Sequence, residues 1–343
     1  MPYSPGFVID NRYQVNRYID KGSFGEVYEV YDVTQQQVVA LKLLDPILIS
    51  GWPWHEAAQL TALRSDHILP VWNADIFAGV PYVVADLALG SVEGTAPTTP
   101  GRAIRYTREA CRGIARTHDA AILHRDIKLA NLFLSAKDTV LVGDFGLAHP
   151  MDANGEAPGT GTPLTTAPEV LVGGGNTSVA SDVYSLGACL YALLTGVYPY
   201  NDHAPPTPAD LQAMVAAGPP TPVRDLAPHV SLGLATRAER ALARDPADRY
   251  SSAAAFEADL GHLAAPTVTW RRVAAHPGHD QCWESDAITP VRVCATRTAG
   301  SSRFSIETAR ARSGRRIRAN CKAVVTPAAL PGTLRAIFQR LGN

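Results

Sequence analysis

Cysteine is scarce in this chain, with 5 in 343 residues and no regular spacing between them. That excludes a disulfide-stapled scaffold and fits a reducing compartment. The first residues, Met1 to Asp10, lack a basic segment followed by an apolar core, so no secretory signal is expected. Long apolar runs are also missing. The nearest approach, Val183 to Asn201, carries no charge, but Ser185, Gly187, Thr195, Gly196 and Pro199 interrupt it. A helix that is apolar all round is more often the buried core of a large lobe than a membrane span. No membrane partner is expected, and the expected location is the cytoplasm. Charged residues make up only 18 % and apolar residues 46 %, the proportions of a globular protein.

The near-neutral total hides a split. From Pro266 onward there are 13 basic and 4 acidic residues, a net of +9, while residues 1–265 carry a net of −10. Such asymmetry suggests two modules with different partners. The length suits one large domain plus a small one.

Chemistry concentrates between Ile122 and Gly146. His124-Arg125-Asp126-Ile127-Lys128 continues through Asn131 and closes at Asp144-Phe145-Gly146, with Asp144 thirteen residues after Asn131. The apolar runs Leu132–Leu134 and Val140–Val142 read as two short strands joined by a turn around Ala136-Lys137-Asp138. Such a hairpin places Asp126, Lys128, Asn131 and Asp144 at one mouth. A carboxylate there can take a proton from a hydroxyl, and an Asn with a second carboxylate can hold Mg²⁺ against phosphate oxygens.

This stretch resembles the catalytic loop and metal-binding turn of the eukaryotic-type (Hanks-type) protein serine/threonine kinases, in a soluble, bacterial-like form. The resemblance runs over about residues 10–264. It implies an α+β bilobal fold: a small β-rich lobe over residues 1–88 and a large, mainly helical lobe over 89–264. Residues 265–343 are left as a small basic α+β domain of unassigned role.

By the same resemblance, Lys21-Gly22-Ser23-Phe24-Gly25 matches the glycine-rich loop over the phosphates, with Val27 covering the adenine. Asp20 stands where the first glycine is usual, an acidic group near phosphates. Val39-Ala40-Leu41-Lys42 places Lys42 on the phosphates and pairs it with Glu56, the only acidic residue between Asp45 and Asp66. Pro81–Leu87 leads to the hinge, where Ala85 guards the adenine pocket and Asp86 and Leu87 follow; a shift of one residue gives the guard position to Val84. Asp126 is then the catalytic base, Lys128 the cation on the transferring phosphoryl group, and Asn131 with Asp144 the ligands of Mg²⁺ or Mn²⁺. Lys128 marks Ser/Thr over Tyr specificity.

Leu147 to Thr166 matches the activation segment, ending at Ala167-Pro168-Glu169. Its glycines point to a mobile loop. Thr162 matches the substrate-site threonine, which leaves Thr160 as the regulatory acceptor within reach of Arg125. Asp182 is expected to brace the catalytic loop, and Arg249 to pair with Glu169.

No family resemblance is recognised in the C-terminal stretch. Phe304–Arg312 and Arg315–Val325 read as a hairpin, with Arg316, Arg318 and Lys322 on one strand face; Leu330, Leu334, Ile337, Phe338 and Leu341 suit an amphipathic helix. His276, His279, Cys282 and Cys294 are of metal-ligand type, but their spacing fits no standard zinc pattern.

Three functions follow in different classes. The first is an ATP-dependent protein kinase acting on protein Ser/Thr hydroxyls. The second is a kinase-fold switch whose basic C-terminal domain recruits nucleic acid or an acidic protein, suggested by Asp20 and by Thr165 where an aromatic is usual. The third, a small-molecule kinase, is disfavoured by Ala167-Pro168-Glu169 with Asp182 and Arg249.

Overall fold

The computed structural model describes residues 3–22, 25–45, 61, 63–201, 207–263 and 268–342. Glu56 and Ser23 therefore lie outside the described residues.

The β-rich N-terminal part forms a six-stranded antiparallel sheet: β1 Val8–Ile9, β2 Tyr13–Gly22, β3 Gly25–Asp32, β4 Gln37–Leu44, β5 Val71–Phe77 and β6 Val80–Asp86, in the order β1-β2-β3-β4-β6-β5. Strict alternation decides its faces. Tyr28, Val30, Val39, Leu41, Tyr82 and Val84 form one buried cluster. The opposite parity presents Val27, Ala40, Lys42, Val83 and Ala85, with Val27 opposite Lys42 and Ala40 opposite Ala85. The β2–β3 ladder runs as far as the pair Gly22 and Gly25. Gly25 has φ +153°, and a Cβ there would sit 1.8 Å from the Leu43 carbonyl oxygen. Packing of the sheet alone thus requires this glycine.

Helix α1, Pro100–Asp119, opens the large lobe; Thr99 caps it and Pro100 fits its first position. Strands β7 (Ile122–Leu123), β8 (Leu132–Leu134) and β9 (Val140–Val142) follow, then β10 (His149–Pro150) and β11 (Glu156–Ala157). Next come α2 (Pro168–Leu171), β12 (Thr177–Ser178), α3 (Val179–Thr195), α4 (Pro208–Ala217), α5 (Val223–Leu226), α6 (Leu232–Ala241) and α7 (Ala253–Gly261). The charge-free run falls in α3, buried from Ser181 to Thr195 inside this lobe. No described helix is long and apolar enough to cross a membrane.

The C-terminal part has its own core. Five antiparallel strands run in sequence order, β13 Trp270–Val273, β14 Gln281–Ser285, β15 Val291–Arg297, β16 Phe304–Arg310 and β17 Lys322–Val325, followed by α8 Leu330–Arg340. Trp270, Trp283, Val293 and Ile306 pack on Leu334, Ile337 and Phe338 of that helix. The expected basic strand face is corrected here. Arg318 opens a 3-10 turn through Asn320, and only Lys322–Val325 is strand, so Arg316, Arg318 and Lys322 share no sheet face. Arg316 instead pairs with Glu307 at 2.7 Å, and Arg335 of α8 reaches Asp225 of α5 at 2.7 Å.

Candidate active site

The β8–β9 ladder sets the spacing of the polar residues. Leu132 faces Val142, and the Gly143 N–H donates to the Asn131 carbonyl at 3.0 Å. Asn131 before β8 and Asp144 after β9 therefore emerge at the same end of the hairpin. Asp144 has φ +58° and Arg125 φ +66°, left-handed conformations that non-glycine residues adopt where surrounding contacts enforce them. At Arg125 the enforcing group is visible. Asp182, buried at the start of α3, accepts the His124 and Arg125 backbone N–H groups at 3.0 Å each. Burial pushes the Asp182 carboxyl up, but His118 at 2.8 Å and the loop N–H groups outweigh it and hold it below the usual range.

Asp126 is the hub. Its side chain accepts from Asn131 Nδ2 at 2.9 Å and from the Thr162 hydroxyl at 2.5 Å, and Lys128 Nζ lies 2.9 Å away. Lys128 Nζ also donates to the Thr162 hydroxyl at 3.0 Å. Burial raises the Asp126 carboxyl, yet the Thr162 hydroxyl and the Lys128 ammonium more than offset this, leaving it below the ordinary carboxylate value of 3.8. The group is therefore an anion at neutral pH.

Lys42 reaches from β4 to Asp144, Nζ to Oδ1 2.5 Å, an ion pair that ties the six-stranded sheet to the end of the β8–β9 hairpin. Glu56, the expected helix partner, is outside the described residues. Asn131 spends both amide hydrogens on Asp126, at 2.8 Å to its carbonyl and 2.9 Å to its carboxylate. What it offers a ligand is therefore its Oδ1 oxygen. Together with the Asp144 carboxylate this is a hard-oxygen donor pair, which fits a divalent cation of the Mg²⁺ or Mn²⁺ kind.

At the hinge, Asp86 accepts from Trp72 Nε1 at 2.6 Å, and its own N–H donates to the Pro70 carbonyl at 3.1 Å. Leu87 beyond it is 36 % exposed. Val84 belongs to the core of the sheet, whereas Ala85 shares the face of Lys42. Asp20 is exposed and accepts the Lys21 N–H at 2.7 Å.

The segment expected to be loose is tied down. Arg125 donates to the Leu147 carbonyl at 2.6 Å and to the Pro158 carbonyl at 2.7 Å, and β10 and β11 pair with β7 and β12. Thr160 lines the same small cavity as Arg125, Thr166 and Asp182. Below it, Arg249 donates to Glu169 at 2.8 and 2.7 Å.

Two participants escaped the sequence reading. His118 supports Asp182, and the Tyr198 hydroxyl accepts the Leu129 N–H at 2.9 Å, fixing the loop from beneath. No local pattern marks either one. His124 could have been found from its motif; it accepts from the Asp126 N–H at 3.3 Å and its Nε2 lies 3.2 Å from the Gly143 carbonyl, tying base loop to metal turn.

A small antiparallel sheet closing over a helical lobe, with a carboxylate, two lysines and a hard-oxygen pair between them, defines a two-lobed phosphotransfer fold. A family model described as protein kinase domain matches residues 13–260. The chain belongs to that family. It is 32 % identical over 271 residues to serine/threonine-protein kinase PknB of Mycobacterium tuberculosis, covering 74 % of this chain and 43 % of that protein. A probable serine/threonine-protein kinase PknB of Corynebacterium glutamicum is 29 % identical over 283 residues, covering 77 % of this chain and 44 % of that one. The chain thus spans less than half the length of these relatives. The crystal structure of the Mycobacterium tuberculosis PknI kinase domain shares the fold, with a TM-score of 0.60 at 24 % identity over 77 % of this chain and all of that one.

Proposed function

We propose that this chain is an ATP-dependent protein serine/threonine kinase that uses Mg²⁺. One observation carries the reading: the Thr162 hydroxyl stands 2.5 Å from Asp126 and 3.0 Å from Lys128, the arrangement in which a carboxylate can take a hydroxyl proton beside a cation. Asp126 is the base, and Lys128 stabilises charge on the group in transfer. Lys42 orients the phosphates, with Glu56 as its helix partner. Asn131 Oδ1 and the Asp144 carboxylate hold the metal. Gly22, Ser23, Gly25 and Val27 cover the nucleotide from above, and Ala40, Ala85, Asp86 and Leu87 line its base. Bound ATP supplies the phosphoryl group, and the divalent ion neutralises charge on its oxygens. The chain's own part is positioning and fixed charge.

Recruitment of nucleic acid or an acidic protein by the C-terminal domain has less support. Its basic side chains are partly spent already: Arg316 on Glu307, Arg292 on Glu284 and Arg335 on Asp225, each at 2.7 Å.

The test is phosphopeptide mapping after incubation of the purified chain with Mg-ATP and a generic basic protein. Phosphate is expected on Ser and Thr of the added protein and on Thr160 of the kinase. Thr160→Ala is expected to lower the rate about tenfold or more, since a hydrogen bond to a charged group is worth about 1.5–3 kcal/mol. ATP hydrolysed with no phosphoprotein formed would sink the proposal. Unchanged activity of Thr160→Ala, in protein first treated with phosphatase, would remove only the switch.

The pocket gives a second expectation. Ala85 leaves room beside the adenine, so ATP analogues enlarged at N6 are accepted as substrates, and Ala85→Met excludes them while ATP is retained. Equal use of the analogue by both proteins would place the guard elsewhere.

A further inference from the structure

We propose that His276, His279, Cys282 and Cys294 form a zinc(II) site that staples the C-terminal sheet; the proposal is independent of the kinase reading. Their ligand atoms, two imidazole Nδ1 or Nε2 and two Sγ, all lie within 4.8 Å of one another. The contacts have tetrahedral dimensions. Cys282 Sγ is 3.7 Å from His279 Nδ1, and Cys294 Sγ is 3.7 Å from His276 Nδ1. Zn–S and Zn–N bonds of about 2.3 and 2.0–2.1 Å give tetrahedral S–N edges of roughly 3.5–3.6 Å. The remaining short edge, Cys282 Sγ to His276 Nδ1 at 3.0 Å, needs to open by about half an ångström to match.

The backbone builds the site from two independent pieces. Cys282 of β14 and Cys294 of β15 are directly opposed cross-strand partners, which sets the two thiols side by side on one face. That face is not the apolar one. Trp283 and Val293, the neighbouring pair, point into the core against α8, and the thiol face carries Glu284 and Arg292. Both cysteines are nonetheless buried, at 0 % and 3 % exposure. The strand link covers them. His276-Pro277-Gly278-His279 is a turn closed by the His279 N–H on the His276 carbonyl at 2.9 Å, with Gly278 at φ +83°. Proline followed by a positive-φ glycine is the signature of a type II turn. The turn aims both imidazoles at the thiols, their ring centroids 6.0 Å apart. Two histidines at the corners of a turn and two cysteines across a ladder supply four neutral-or-anionic N and S donors. That set suits zinc over the hard cations expected at the kinase cleft.

Two further features fit. Glu284 stands 4.0 Å from His276 Nε2, on the ring edge away from Nδ1, and is itself held by Arg292 at 2.7 Å. A carboxylate behind a ligating imidazole fixes its orientation and raises its basicity. The five strands and one helix also form a domain near the size, roughly 70–80 residues, at which an apolar core alone gives little stability and a structural metal is a common supplement.

The test is metal analysis of the full-length chain purified without chelator or affinity metal. About one zinc per chain is expected, with Cys294→Ser and His279→Ala each reducing occupancy severalfold under dialysis. Cys321→Ser is the control, because Cys321 Sγ faces the Ile317 and Thr308 carbonyls at 3.5 and 3.7 Å and should change nothing. A measurement on unaltered protein guards against misfolded variants. Reloading with cobalt(II) should give tetrahedral ligand-field bands and thiolate-to-cobalt charge transfer. Zinc-free protein with a Cys282–Cys294 disulfide, zinc-free protein with reactive thiols that takes up no cobalt, or full zinc retention by both variants would each overturn the proposal.

Discussion

Asp126→Asn is expected to lower the phosphoryl-transfer rate by about 10²–10⁴-fold, the usual worth of a positioned base, while nucleotide affinity and fold persist. The isosteric amide keeps the shape and one of the two oxygens that now accept from the Thr162 hydroxyl on Oδ1 at 2.5 Å and from Asn131 Nδ2 on Oδ2 at 2.9 Å, and sets an NH2 group at the other. What disappears is the anion beside Lys128, 2.9 Å away. Single-turnover transfer with a calorimetric nucleotide titration separates the two effects, and transfer within a few-fold of wild type would strip Asp126 of its role. A pH signature accompanies the loss. The folded Asp126 carboxyl lies below its ordinary 3.8, so its contribution to stability is complete above that range and is lost as pH falls through the folded value. The stability gap between wild type and variant should therefore be widest near neutrality and close in acid. A gap that widens below pH ~4 would contradict the ion pairing.

The catalytic loop could be read from sequence because its geometry is local. Asn131 and Asp144 flank a two-strand ladder, and the register of Leu132 on Val142 follows from run length and a short turn. Residues within such a hairpin cannot move relative to each other by more than the ladder allows. The supports of the loop, His118 and Tyr198, come from elements distant in sequence and carry no pattern of their own. Gly25 illustrates a different gap: its need for a bare Cα comes at least in part from the Leu43 carbonyl in the next strand, a contact invisible in the loop's own sequence.

The C-terminal part was harder for physical reasons. Strands β13 and β14 are only Trp270–Val273 and Gln281–Ser285, too short for alternation to stand out from chance. The 3-10 turn at Arg318–Asn320 breaks parity in the run from Arg315, so counting every second residue assigned three basic side chains to a face that does not exist. The histidine–cysteine cluster failed a linear spacing test for the same reason. Its two cysteines meet through cross-strand register, and no interval along the chain encodes that.

Arg249→Ala is expected to destabilise the large lobe by about 3–5 kcal/mol, the cost of breaking a buried ion pair by removing one partner. The Arg249 side chain is fully buried, and each of its five N–H donors is used. Nε donates to the Ala243 carbonyl at 2.8 Å, and Nη1 to Glu169 at 2.8 Å and to the Ala180 carbonyl at 2.9 Å. Nη2 donates to Glu169 at 2.7 Å and to the Arg244 carbonyl at 3.1 Å, and the guanidinium lies 5.0 Å from the Tyr184 ring centroid. One side chain therefore joins the end of the activation segment, the start of α3 and the chain after α6. Truncation takes this donor away from three carbonyls and from the Glu169 carboxylate, which is 26 % exposed. Arg249→Lys should recover little, because three donors on a point charge cannot replace a planar fork of five. Urea unfolding reads the effect as a fall in midpoint at unchanged slope. A midpoint shift equivalent to less than about 1 kcal/mol, the size of an exposed pair, would mean that the Arg249–Glu169 contact is not the buried brace its geometry describes.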